Sequence, residues 1–323
     1  MELRYTGENP EKEIFQVFGE TMEELFKEDS KVVYLDADLM GSLKTQNLWK
    51  NYPKNVFNCG IQESNMVGVA AGLFLAGFKP YIHTFTPFAT RRVFDQAFLS
   101  VGYANKSVRI IGSDSGIMAT HNGGTHMCFE DVAIMRTVPN ACVIDITDGA
   151  MLADMLKKTK DYKGLVYIRT ARRGVPDIYP TNTDFEIGKG KILKDGTDCT
   201  IVASGIMVAT ALQASEILSK EGISVRVVDI VTVKPIDIEL LKDSAKKTGC
   251  IVTAENHNVI GGLGSAVCEY ISENCPVPVC KVGVQDQFGQ VGNEPFLREQ
   301  YKLTSQEIVN KVKLAISLKG EKL

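Results

Sequence analysis

The chain of 323 residues has no pair of cysteines at Cys-x-x-Cys spacing, although it holds eight cysteines. A zinc ribbon and a dithiol redox centre are therefore poorly supported, and scattered thiols point to a reducing compartment. Histidine is scarce, with four residues, and tryptophan occurs once. Charge of one sign is lacking too. The formal net charge is −3, which argues against a general nucleic-acid surface. The start, MELRYTGENPEKE, has no apolar stretch of the kind a signal peptide needs. The longest apolar runs, such as 67–76, are too short and too glycine-rich to cross a bilayer. No internal repeat and no low-complexity tract is visible. What remains is a chain with 44% hydrophobic and 23% charged residues, expected to be globular, cytoplasmic and long enough for two domains.

Short apolar segments alternate with helical patterns. Strands are expected at 32–35, 79–83, 108–112, 142–146 and 165–168, with helices at 66–75, 93–103 and 148–158. This alternation predicts an α/β fold with a parallel sheet covered on both faces. The rhythm breaks in RGVPDIYPTNTDF, which reads as a linker. It then resumes, with strands at 200–203, 225–228 and 251–254 and helices at 209–221, 237–247 and 264–272. Thr304-x-x-Glu307 is a capping signal ahead of a last helix. The expected division is a first domain over 1–175, a linker over 176–187 and a second domain over 188–323.

Five segments carry residues suited to chemistry. Glu63 follows a Gly60-Ile61 pair and opens a helix of small residues. It is either a helix N-terminal acid or a buried carboxyl group able to exchange a proton with a ligand. Phe85 and Phe88 stand three apart, as core or as an aromatic platform, with Arg91 and Arg92 after them. Asp38 and Ser42 lie in a polar loop after the first strand, as turn and cap or as site residues. His121-Asn122-Gly-Gly-Thr-His126 gathers two of the four histidines, without the further ligands that a zinc site needs. Arg169 and Arg172 follow a strand, where a basic run is solvated or binds anions.

Gly60-Ile61-x-Glu63 followed by Phe85-x-x-Phe88 resembles the pyrimidine-binding module of thiamine-diphosphate enzymes, nearest to transketolase and 1-deoxyxylulose-5-phosphate synthase. The resemblance runs over nearly the whole chain. It implies a pyrimidine-binding domain followed by a transketolase C-terminal-like α/β domain. It also implies roles. Glu63 would act on the pyrimidine N1′, Ile61 would keep the cofactor bent, and Phe85 and Phe88 would stack on its ring. Asp38 and Arg91 would approach the cofactor. His126 would be catalytic and contact the sugar hydroxyls, with His121 and Asn122 beside it. Ser42 and Arg172, with Arg169 second, would hold the substrate phosphate. The family usually has aspartate where Asn122 stands and a histidine near Ser113, so sugar preference is expected to differ.

The family's diphosphate and Mg²⁺ motif, Gly-Asp-Gly followed by Asn-Asn, is not found. The chain thus looks like the C-terminal section of a split transketolase. Its expected partners are an N-terminal subunit holding Mg²⁺ and the diphosphate, and a second copy within an α₂β₂ assembly. The expected reaction moves a two-carbon ketol unit from a ketose phosphate to an aldose. Alternatives are the β subunit of a 2-oxo-acid dehydrogenase and a synthase of the deoxyxylulose type. The glycine-rich 261–266 segment fits neither a Walker loop nor a dinucleotide fingerprint. It is read as packing and subunit contact.

Overall fold

Twelve strands organise the chain, in a computed structural model that describes residues 3–8 and 10–320. They are β1 (Val32–Asp36), β2 (Val56–Asn58), β3 (Lys79–Phe85), β4 (Arg109–Ser113), β5 (Cys142–Asp145) and β6 (Val166–Arg169). After them come β7 (Lys191–Lys194), β8 (Cys199–Ala203), β9 (Val225–Asp229), β10 (Thr232–Lys234), β11 (Ile251–Asn258) and β12 (Val279–Val284). Strands such as VVYLD in β1 and CTIVA in β8 are buried at every position. Helices therefore cover both faces, as is usual for parallel sheets.

Two sheets result, in the orders β10-β5-β6-β4-β3-β1-β2 and β12-β11-β8-β9-β7. Neither is wholly parallel. β10 runs antiparallel to β5, and β7 antiparallel to β9. Both exceptions are short edge strands, KILK and TVK, without the apolar run that marks the central strands. β10 comes from the second half of the chain yet completes the first sheet. Its Lys234 also donates from Nζ to the carbonyls of Arg136 and Val138.

Most expected elements appear within a few residues of their predicted bounds. The segment expected as a helix over 93–103 is α-helical only at Phe94–Gln96 and widens into π turns over Ala97–Tyr103. One long helix, Ile14–Glu28, has no counterpart among the expected elements. Its start carries a readable signal, since Gln16 Oε1 accepts from the Glu13 backbone N–H at 2.9 Å. That helix packs Phe18, Met22 and Leu25 into the core.

Candidate active site

β4, β3 and β1 lie side by side, so their carboxyl ends bring Ser113, the His83–Phe85 end and Asp36 to one line. Asp36 Oδ2 accepts from Tyr34 OH at 2.7 Å and lies 2.7 Å from His83 Nδ1. His83 Nε2 lies 2.9 Å from Ser113 Oγ. A ring with Nδ1–H toward Asp36 leaves Nε2 to accept from the Ser113 hydroxyl. All four groups are buried. The sequence shows no sign of this line, because a histidine inside an apolar strand belongs to no motif.

The loops that leave these strands are locally strained. Asp38 and Asp114 adopt φ of 63° and 55°, in the left-handed region where only Asp and Asn among side-chain-bearing residues are common. Asn58 ties the first loop down. It donates from Nδ2 to Asp38 Oδ1 at 2.9 Å and accepts from the Asp38 and Gly60 backbone N–H groups. Ser42 follows, half-buried on the short helix Met40–Leu43.

Glu63 opens the helix Glu63–Leu75, whose face of Met66, Val67, Ala70 and Ala71 is buried. Glu63 is 5% exposed, while Ile61 nearby is 70% exposed. The surroundings of Glu63 are apolar along the helix, yet one cation reaches it. Arg92 donates from Nη1 to Glu63 Oε1 at 2.6 Å. The same guanidinium lies 3.7 Å from the Phe88 ring centroid.

Phe85 and Phe88 stand 6.4 Å apart, centroid to centroid. His126 meets both edge-on, at 5.9 and 5.2 Å. Its Nδ1 is 2.8 Å from Thr125 Oγ1, which sets the ring's tilt. Arg172 reaches Phe85 as well, with its guanidinium carbon 6.0 Å from the ring centroid, and its Nε is 3.2 Å from Asp114 Oδ1. Burial raises the Asp114 pKa above the ordinary carboxylate range, and the charges of Arg172, His83 and Arg173 pull it back. One chain of contacts thus runs from Glu63 through Arg92, Phe88, His126 and Phe85 to Arg172. His121 and Asn122 are exposed on the loop that leads into it.

Arg91, expected to approach the cofactor, lies beside the histidine loop. It donates to Glu130 Oε1 at 2.7 Å and to the Thr125 carbonyl at 3.2 Å, so it braces the histidine loop. The 3₁₀ turn Arg91–Val93 sends the neighbouring side chain, Arg92, to the Glu63 carboxyl instead. One expectation needs correction, that of Arg169 as a second phosphate ligand. It is 1% exposed and donates to Asp131 Oδ2 (2.7 Å), Asp145 Oδ1 (3.2 Å) and the Asn256 carbonyl (2.5 Å). With those donors taken inside the protein, it bridges the two domains rather than serving a phosphate.

The glycine turn before the helix Leu263–Asn274 is also occupied. Glu255 accepts from the Leu263 and Gly264 N–H groups at 2.6 and 2.8 Å, and burial pushes its pKa up to about 7. A Cβ on Gly262 would lie 2.0 Å from Glu255 Oε2, so glycine is required for that approach. The turn serves packing. Among the described residues no cluster of three His, Cys, Asp or Glu could hold a metal ion, and no helix is long and apolar enough to cross a membrane.

Residues 11–177 match the family described as transketolase, pyrimidine binding domain, and residues 188–308 that described as transketolase, C-terminal domain. The chain is 48% identical over 286 residues to the 6-deoxy-6-sulfo-D-fructose transketolase subunit SqwH of Clostridium sp. (strain MSTE9), covering 88% of this chain and 89% of that one. It is 41% identical to a putative transketolase C-terminal section of Methanocaldococcus jannaschii, over 91% and 93% of the two chains. A solved structure described as a split gene transketolase, inactive beta4 tetramer, superposes with a TM-score of 0.88 at 45% identity, covering 95% of this chain and 99% of that one.

Proposed function

The chain belongs to the transketolase family as the C-terminal subunit of a split enzyme, and we propose that it carries the pyrimidine half of a thiamine-diphosphate site. The observation that carries this reading is the joined set of Glu63, Phe88, Phe85 and His126. A buried carboxyl, an aromatic pair and an exposed Ile61 wedge suit a flat heterocycle. Thiamine diphosphate, when bound, supplies a nucleophilic thiazolium C2. Glu63 would hold the proton shared with the pyrimidine N1′, Phe85 and Phe88 would stack on its ring, and Asp38 would border it. His126, with His121 and Asn122 on the same loop, would orient the sugar hydroxyls. Arg172 and Ser42 would take the anionic end of the ketose.

The reaction proposed is transfer of a two-carbon ketol unit from a ketose phosphate to an aldose. An N-terminal subunit would supply Mg²⁺ and the diphosphate site, within an α₂β₂ assembly. Eight free thiols fit a reducing, cytoplasmic setting. A sulfonate-ended ketose is the second reading, because the Clostridium relative is named for one.

Glu63→Gln in the assembled enzyme tests the site. Turnover should fall by about 10²–10⁴-fold, the usual worth of general acid–base catalysis. Exchange of the C2 proton, followed by NMR in deuterated water, should slow in parallel. Wild-type exchange in the variant would overturn the assignment.

A further inference from the structure

Arg91 and Arg92 are adjacent, and only Arg92 turns toward Glu63. Its contacts use the features a heterocycle would need. The Nη1–Oε1 distance of 2.6 Å takes one carboxyl oxygen of Glu63. The 3.7 Å from guanidinium carbon to ring centroid places the cation directly over a face of Phe88. That is contact distance for stacked planar groups, so a second ring cannot share that face. His126 already stands edge-on to the same phenyl ring at 5.2 Å.

We propose that Arg92 is a latch on the pyrimidine pocket. In the isolated chain its guanidinium occupies the place of the heterocycle on Glu63 and Phe88, and it swings out before the ring can seat. The proposal rests on the reading of Glu63 and Phe88 given above. The latch is built to move at its tip and not at its base. Ser64 Oγ donates to the Arg92 carbonyl at 3.4 Å, which ties the backbone to the helix that Glu63 opens. The side chain beyond is 43% exposed, so outward rotation returns it to water without opening the core. Arg91 stays fixed meanwhile on Glu130 and Thr125. A subunit latched in this way holds its pocket closed to free ligand until the assembled site offers enough contacts to displace the arginine.

The test is binding of free thiamine, which has the ring but no diphosphate, to the isolated chain by ligand-observed NMR. Arg92→Ala should bind thiamine about tenfold more tightly than wild type, a change of about 1.4 kcal/mol. Arg92→Lys, which keeps the charge but not the flat fork, should fall between. Adding Phe88→Ala or Glu63→Gln to Arg92→Ala should abolish the gain. Equal or weaker binding by Arg92→Ala overturns the latch and makes Arg92 a bystander or a ligand contact. Absence of binding to every variant overturns it too. Those outcomes leave the Glu63 assignment to stand or fall on C2 exchange in the assembled enzyme. A gain that persists in both double variants would show thiamine seated elsewhere, against both readings.

Discussion

Arg169 and Arg172 are three residues apart, and their surroundings differ in almost every respect. Arg169 is sealed in the seam between the domains, bonded to Asp131, Asp145 and the Asn256 carbonyl. Burial alone would lower its pKa, but the two carboxylates outweigh that and raise it. The seam continues through the Ser204–Asp145 bond and through Asp229, which accepts from Thr147 and Tyr179. Arg172 has one ion pair, an aromatic neighbour and access to solvent. Buried charge with its partners in place holds domains together. Partly exposed charge over an aromatic face keeps donors free for a ligand. Residue type does not separate these roles; the number of satisfied donors does.

The contrast can be broken most forcefully at Arg169. Arg169→Met would leave Asp131 and Asp145 buried without their cation, and should cost about 3–5 kcal/mol of stability. Urea denaturation measures it. Arg172→Met should cost less than about 1 kcal/mol by the same measurement, as partly exposed pairs do. Comparable losses would erase the distinction.

At Arg172 the expected effect is on substrate rather than on folding. Arg172→Ala should raise KM for anionic sugars by roughly 10- to 150-fold, from a charge-assisted hydrogen bond of about 1.5–3 kcal/mol. Unphosphorylated acceptors should change little. Steady-state kinetics on paired substrates decides it, and equal losses on both would remove Arg172 from anion recognition.

The smallest effect is a pH dependence in the seam. Burial raises the Asp229 pKa to about 6, against the bonds from Thr147, Val231 and Tyr179. The folded protein therefore keeps a proton that the unfolded chain has released. This contribution to stability is full below about pH 3.8 and is lost as pH rises through about 6. Asp229→Asn cannot titrate, so its stability relative to wild type should climb between pH 4 and 7. Denaturation midpoints across that range would show the climb, and a constant difference would exclude Asp229 as the source.

What could be read in advance follows the same division. The closeness of Ile61 to Glu63 and of Phe85 to Phe88 was legible because each pair is local, and a short motif fixes their mutual spacing. The apolar strands were legible from runs such as VVYLD and CTIVA. The choice between Arg91 and Arg92 was not, since a single 3₁₀ turn decides which side chain faces the carboxyl. Nor was the buried line of Asp36, His83 and Ser113. Asp36 ends a strand and points inward to His83, a residue 47 positions away. The seam was invisible for the same reason, as Asp131, Asp145, Arg169 and Asn256 come from separate stretches of chain.

β10 has a consequence for how this chain can be divided. Cut at the linker, the first half would lose three residues that it does not encode, and β5 would become a bare edge with unpaired N–H and C=O groups. Exposed edges recruit other strands. The first half expressed alone should therefore tend to self-associate, and a domain swap with a relative would have to carry residues 232–234 along. The natural modular unit is the pair of domains, whatever the linker suggests.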